Sequence, residues 1–262
     1  MTKRGSVVLY VTAALAAVVW MGAQSSTDLR VVTYNIKHGQ GMDGAVDLER
    51  TAAVLRPLRP DVVGLQEVDD RATRSGSVAQ AERLGQLLGL QNAFGKFMDY
   101  QGGAYGLAVL ARHPIMKSEA VRLPDGNEPR VALVVEIRLP DGGHVAVVNV
   151  HFDWVRDDAF RFAQADALTK RLDTLPIPYV LIGDFNDVPE SRTLGLFRAR
   201  AAEARKPSGA SFTFPSTEPV REIDHVFFAP AAAFTPREVR VIDERVASDH
   251  RPVLAVLARR ER

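Results

Sequence analysis

Short apolar runs rich in β-branched residues recur along this chain, and most of them close on polar or ionisable side chains. This pattern constrains the fold more than any other feature. Leu29 to Ile36 reads as a strand in which Val31 and Val32 give way to Thr33, Tyr34 and Asn35. Asp61 to Glu67 is a short run that fits a strand buried on both faces, with Glu67 where it emerges. Val131 to Leu139 and Val145 to Val150 are joined by Pro140-Asp141-Gly142-Gly143, a hairpin signal, and His151 lies just beyond the second run. Tyr179 to Ile182 is a strand, and Gly183-Asp184-Phe185-Asn186 follows it as a turn. Further strands fit Leu107 to Leu110, Ile223 to Phe228, Glu238 to Ile242 and Pro252 to Leu257.

Amphipathic helices fall between these runs. Asp47 is a natural N-cap for a helix whose apolar face is Leu48, Ala52, Leu55 and Leu58, broken near Pro57 and Pro60. Ala79 to Leu88 and Arg156 to Leu172 are helical in pattern. Strands therefore alternate with helices early and pair as hairpins in the middle. The expected fold is α/β, with mixed sheets and helices outside. No linker divides residues 26 to 262, and 46% hydrophobic with 25% charged residues is enough for one full core.

The N-terminus departs from this composition. Lys3 and Arg4 precede a nearly uncharged stretch from Val7 to Ala23, followed by Gln24-Ser25-Ser26. That is the layout of a secretory signal, and the length of the run also fits a membrane anchor. Ala23 and Ser25 supply a small-x-small cleavage site, which tilts the reading of residues 1 to 25 toward a processed leader over a buried core helix. The expected location is outside the cytoplasm, secreted, periplasmic or tethered, with this segment engaging membrane or secretion machinery.

Charge and cysteine content narrow the chemistry. Without residues 1 to 25, which hold Lys3 and Arg4 and no acid, the formal charge falls from +1 to −1. A nearly neutral domain lacks the broad positive field that nucleic-acid binders use. Zero cysteines exclude disulfides and thiolate metal sites, so any metal must sit on oxygen and imidazole ligands.

Asn35, Glu67, His151, Asp184, Asn186, Asp224, Asp249 and His250 all fall at expected strand ends. Singly, a carboxylate there is a solvated cap. Together they provide hard oxygen ligands, imidazoles that move protons and amides that bind phosphate oxygens, the needs of metal-assisted phosphoryl transfer.

Their local sequences are Val32-Thr33-Tyr34-Asn35-Ile36, Leu65-Gln66-Glu67-Val68-Asp69, Val148-Asn149-Val150-His151, Gly183-Asp184-Phe185-Asn186, Ile223-Asp224-His225-Val226-Phe227 and Ser248-Asp249-His250-Arg251-Pro252. In this order they resemble the motifs of the endonuclease/exonuclease/phosphatase superfamily, over roughly residues 28 to 258. The resemblance implies a DNase I-like four-layer α/β/β/α sandwich with the active site where the motif loops meet. It implies Mg2+, with Mn2+ as the alternative, on Glu67 as principal ligand, with Asn35 and Asp249 completing the shell. His250 would be the general base and Asp224 its orienting carboxylate. His151 would donate to a phosphate oxygen, Asn186 would orient the phosphate and Asp184 would position the attacking water.

The remaining tempting residues have plainer readings. His38, His113 and His144 read as surface or turn residues, and His225 as a structural residue on the opposite face from Asp224. Arg130 is either a surface arginine or one that steers phosphate, Asp153 is a candidate to orient His151, and Trp154 either touches substrate or pads a loop. Arg259, Arg260 and Arg262 form a solvated end or a contact for anionic lipid. The expected substrate is a lipid-linked or small phosphodiester in preference to nucleic acid, handled by a monomer. A secreted nuclease and an inactive binding module are the rivals. A dinucleotide-binding enzyme is disfavoured, since Gly39-Gln40-Gly41 lacks the third glycine at the right spacing.

Overall fold

The computed structural model describes residues 28–260; the expected leader over residues 1–25, and Arg262, lie outside them. The elements run β1 (Asp28–Asn35), α1 (Leu48–Leu55), β2 (Val62–Asp70), α2 (Gln80–Leu88), β3 (Gln91–Tyr100), β4 (Gly103–Ala111), β5 (Ile115–Arg122), β6 (Val131–Arg138) and β7 (His144–His151). Then follow α3 (Ala159–Leu172), β8 (Tyr179–Asp184), α4 (Arg192–Arg198), β9 (Ala202–Glu203), β10 (Asp224–Ala229), β11 (Phe234–Val241) and β12 (Val253–Arg259). The strands form two sheets, ordered β11-β12-β1-β2-β4-β3 and β5-β6-β7-β8-β10-β9. Within each, one central pair is parallel, β1 with β2 and β7 with β8, and the neighbours are antiparallel, so both sheets are mixed.

The Asp61 to Glu67 run, expected to be buried on both faces, is so in β2, and β8 and β1 share this burial. In β8, Val180 and Ile182 point into the core between the sheets, while Leu181 faces the layer under α3 and α4. In β1, Val31 joins the inter-sheet core and Val32 packs toward α1 and α2 on the outer face. The result is the four-layer sandwich, helices outside and two sheets face to face. Asp47 accepts a hydrogen bond from Arg50 N and starts α1 as expected. The Pro140-Asp141-Gly142-Gly143 turn sets Arg138 opposite His144.

Several elements escaped the pattern. β3, β5 and β9 are edge strands, and exposed residues punctuate β3 and β5, which blurs any apolar run. The helix α4 spans only Arg192–Arg198, too short for periodicity to register. Gly183-Asp184 completes β8 instead of opening a turn, and α3 begins at Ala159, three residues after the expected Arg156.

Two glycines allow the sheets and strands to approach. A Cβ on Gly64 would lie 2.5 Å from Ile182 Cδ1 and 3.0 Å from Asn149 Oδ1 of the facing sheet. Gly183, at φ +150, would put one 2.1 Å from the Val150 carbonyl. Among the described residues no helix is long and apolar enough to cross a membrane.

Candidate active site

The strand register assembles half of the site. His151 pairs with Asp184 across β7 and β8, and Asp184 pairs with Asp224 across β8 and β10. Residues on one rung of adjacent strands point to the same face, so three ionisable side chains separated in sequence stand in a row. In the facing sheet, β1 ends at Asn35 beside the parallel β2. The pairing of β2 with β4 shifts between Leu65 and Val68, and Glu67 within that bulge adopts φ 57. A bulge re-aims the side chain it carries. Here it turns Glu67 into a cleft of about 450 Å³, which Asp184, Asn186, His151, Asp249 and His250 also line.

Beneath this cleft a buried amide network locks the two sheets together. Asn149 of β7 donates to the carbonyls of Leu65 and Ala108, each at 2.9 Å, and accepts from Gln66 Nε2 at 2.7 Å. Gln66 also donates to Thr33 Oγ1. Asn149 and Gln66 belong to motifs visible in the sequence, yet their function is to fix the inter-sheet register one residue from Glu67. Phe185, between Asp184 and Asn186, points the other way and packs against Phe152, Phe197 and Phe227 at 5.4–5.6 Å. Burying such a ring contributes about 1.5–3 kcal/mol, which anchors the loop that presents its two polar neighbours.

His250 stands between two carboxylates, Nδ1 3.0 Å from Asp224 Oδ2 and Nε2 3.6 Å from Asp184 Oδ2. Burial opposes its positive charge, but Asp224 and Asp184 outweigh it and push His250 up to about 10. Burial also pushes Asp184 up to about 6 and raises Glu67. His151 moves the other way: burial and the nearby Arg130 and His250 hold it well below the ordinary imidazole range. Arg130 Nη1 lies 3.3 Å from His151 Nδ1, and a guanidinium can only donate there. The His151 proton therefore sits on Nε2, 3.5 Å from Asp184 Oδ2, where it faces the cleft as a neutral donor.

Asn35 is fully buried and donates to Glu67 Oε1 at 3.0 Å and Asp184 Oδ2 at 3.1 Å, tying the two carboxylates together. Its Oδ1 accepts from Lys37 N. Asn186, at φ 51, donates Nδ2 to the Phe152 carbonyl, and Asp184 Oδ1 accepts from its backbone N–H. Asp249 is half-buried, its Oδ2 3.2 Å from Lys37 Nζ.

Among the described residues a cluster of Glu203, Glu222 and His225 lies apart from the cleft, and at the cleft two groups of side chains offer metal donors. Asp184, Asp224 and His250 lie with their ligand atoms within 4.8 Å of one another. There, however, the imidazole already bridges both carboxylates, the arrangement of a proton relay, and a cation would have to displace its proton. Glu67 and Asp249 instead line the cleft, and among the described residues Glu67 has only the neutral Asn35 amide as hydrogen-bond partner. An all-oxygen pair with room for water and ligand fits the coordination preference of Mg2+.

The other sequence candidates fall into place. Arg130 is 1% exposed and part of the cleft, paired to Glu128 and stacked on Phe97. Trp154 is exposed at the cleft rim. Asp153 does not orient His151; its carboxylate caps the backbone N–H groups of Asn127 and Val155, because the chain turns away after β7. His225 is structural, fully buried between Glu203 Oε1 and the Asp187 carbonyl. His38 lies in a short 3-10 turn, while His113 and His144 stand beside Asp61 and Glu136. Arg259 pairs with Asp141 and Arg260 donates to Thr235. Sequence reasoning missed Arg74, Tyr100, Tyr105 and Phe214, which also line the cleft and carry no local signal.

Residues 32–250 match the model of the Endonuclease/Exonuclease/phosphatase family, and the chain belongs to that family. YbhP of Escherichia coli K12, an uncharacterized protein, is 29% identical over 241 residues, spanning 86% of this chain and 94% of that relative. An endonuclease/exonuclease/phosphatase from Beutenbergia cavernae superposes with a TM-score of 0.70 at 28% identity, covering 88% of this chain and 72% of that one. The mannosyl-6-phosphatase of Bacteroides thetaiotaomicron shares the fold, with a TM-score of 0.73 at 18% identity over 87% of this chain and 99% of that one.

Proposed function

We propose that this chain is a divalent-metal-dependent hydrolase of phosphate esters, phosphodiesters above all, working outside the cytoplasm as a monomer. The observation that carries this reading is the buried Asp224–His250 pair facing His151 across Asp184, in one cleft with Glu67 and Asp249. Glu67 is the principal metal ligand in this reading, with Asp249 and Asn35 beside it. A bound Mg2+ or Mn2+ would neutralise Glu67 and Asp249, polarise the phosphate ester and, as a nearby positive charge, lower His250 from about 10 so that its Nε2 can accept a proton.

The chain's own groups supply the rest. Asp224 holds the Nδ1 proton of His250, leaving Nε2 to take a proton from water, and Asp184 beside that nitrogen positions the water. His151 donates a hydrogen bond from its Nε2–H to a phosphate oxygen as charge grows there, with Arg130 fixing its tautomer. The free edge of Asn186 orients the phosphate. The water attacks in line, its oxygen forming a bond to phosphorus as the bond to the alcohol oxygen breaks, and the departing alkoxide takes a proton from solvent water.

The near-neutral domain and the leader-like residues 1–25 favour a lipid-linked or small phosphodiester. A nuclease is the second reading, favoured by one observation: Tyr100, Trp154, Phe214, Arg74 and Arg221 surround the cleft. The fold gathers these cations and aromatic rings around one cleft, Phe214 and Arg221 from a single loop, and such surfaces stack unpaired bases. The test is hydrolysis by the purified protein, with and without Mg2+, of sphingomyelin and phosphatidylinositol micelles, plasmid DNA, RNA and simple phosphate mono- and diesters, each beside His250→Ala. Turnover that needs metal and His250 supports the chemistry, and the preferred substrate decides between the readings. Absence of metal-dependent turnover on every substrate sinks it.

A further inference from the structure

Arg74 is held on the cleft wall in a way that leaves one edge of its guanidinium free. Its Nε donates to Asp69 Oδ2 and its Nη2 to Asp69 Oδ1, each at 2.8 Å. Asp69 is 0% exposed, so this fork is pinned to the interior. The face of the group is covered too, with Tyr100 4.4 Å and Tyr105 5.2 Å from Cζ to the ring centroids. A guanidinium presents two forks, and Asp69 fills only the one made by Nε and Nη2. Among the described residues nothing accepts from Nη1. The Nη1–Nη2 fork of a cleft-lining arginine is therefore unclaimed by protein.

The position of this fork relates it to the reacting centre. Tyr105, which touches Arg74, also lies beside Arg130, and Arg130 Nη1 contacts His151. The two arginines thus share one wall, one tyrosine apart. Arg130 is spent on Glu128 and His151, so it serves the scissile phosphate. Among the described residues Arg74 makes no hydrogen bond to His151 or Arg130, and the carboxylate that pairs with it is Asp69. An arginine immobilised before binding loses little side-chain entropy on meeting an oxyanion, which is the economy of a recognition site.

We infer that Arg74, framed by Tyr100 and Tyr105, is a second-anion subsite: it takes a phosphate or carboxylate that the substrate carries near the phosphate being cleaved. This rests on the phosphoesterase reading for the identity of the first group. The shared chemistry is a second oxyanion, and its source is either a small multiply charged phosphate ester or the neighbouring phosphate of an oligonucleotide.

The test compares ligands that differ by one anion. In a His250→Ala background with Mg2+, calorimetry would measure fructose 6-phosphate against fructose 1,6-bisphosphate, and a thymidine dinucleotide against its 5′-phosphorylated form. The Arg74 fork is expected to tighten binding of the two-anion member of one pair by about 10- to 100-fold, the range of a charge-assisted bidentate contact. Which pair responds identifies the source. In Asp69→Asn/Arg74→Gln, which removes the buried charge along with its partner, that preference should vanish while the one-anion ligand keeps its affinity within about twofold. An equal loss on both members would mean that Arg74 only buttresses the wall. No preference in either pair with Arg74 intact would also overturn the subsite. Turnover of these compounds by the unmutated protein is a separate readout, so failure of the phosphoesterase reading is distinguishable from failure of the subsite.

Discussion

Asp224 Oδ2 lies 3.0 Å from His250 Nδ1, with both side chains buried at the floor of the cleft. The carboxylate fixes which nitrogen carries the proton. Asp224→Asn keeps the shape and loses that control. Hydrolysis is expected to fall by about 10²- to 10⁴-fold, as for other bases deprived of their orienting group, with the circular dichroism spectrum unchanged. A variant that kept more than about a tenth of the rate would remove Asp224 from the mechanism.

Glu67 is a carboxylate whose charge the fold opposes, since burial raises it above its ordinary value. A group with a raised folded-state value destabilises the fold once ionised, so Glu67→Gln should melt at a higher temperature than the unmutated protein near pH 7 without metal. The same substitution should abolish the rise in melting temperature that Mg2+ gives the unmutated protein. Scanning calorimetry with Mg2+ and with EDTA checks both; an intact Mg2+ shift in Glu67→Gln would place the metal elsewhere.

Glu203 behaves in the opposite sense. Burial works against its charge, but hydrogen bonds from His225 and Arg198 override it and hold it down to about 2, below the ordinary 4.5. Its charged form therefore stabilises the fold above the ordinary glutamate value, and that stabilisation is lost as pH falls from about 4.5 through about 2. The melting temperature of the unmutated protein should drop more steeply between roughly pH 5 and pH 3 than that of Glu203→Gln. Parallel slopes would mean that the His225 and Arg198 contacts do not persist in solution.

Asn149→Ala removes the side-chain donor to the carbonyls of Leu65 and Ala108 and one of the acceptors of Gln66 Nε2, which keeps Thr33 Oγ1. Each unsatisfied buried group costs about 1–3 kcal/mol, so chemical denaturation should show a loss of at least about 2 kcal/mol. Because Gln66 adjoins Glu67, Mg2+ affinity should fall as well. Loss of stability with metal affinity unchanged would confine Asn149 to holding the sheets together.

Mixed sheets with helices outside were legible from residues alone, because central strands covered on both faces are apolar throughout, as Val180, Leu181 and Ile182 are, while the four-layer packing of two sheets came from the family resemblance. Asn35, Glu67, His151, Asp184, Asn186, Asp224, Asp249 and His250 could be named because strand ends are where a rigid scaffold can release polar groups. The edge strands β3 and β5 could not, since a strand half exposed to water need not keep an apolar run. Nor could the direction of Glu67, which depends on a bulge defined against β4. The proton position on His151 depends on Arg130, and the pairing of Asp69, Arg74, Tyr100 and Tyr105 depends on a turn meeting a hairpin. Local sequence determines which side chains are available and which faces are buried; distances between groups far apart in the chain arise only when the two sheets pack, and those distances set the charge states and the free hydrogen-bonding edges of the cleft.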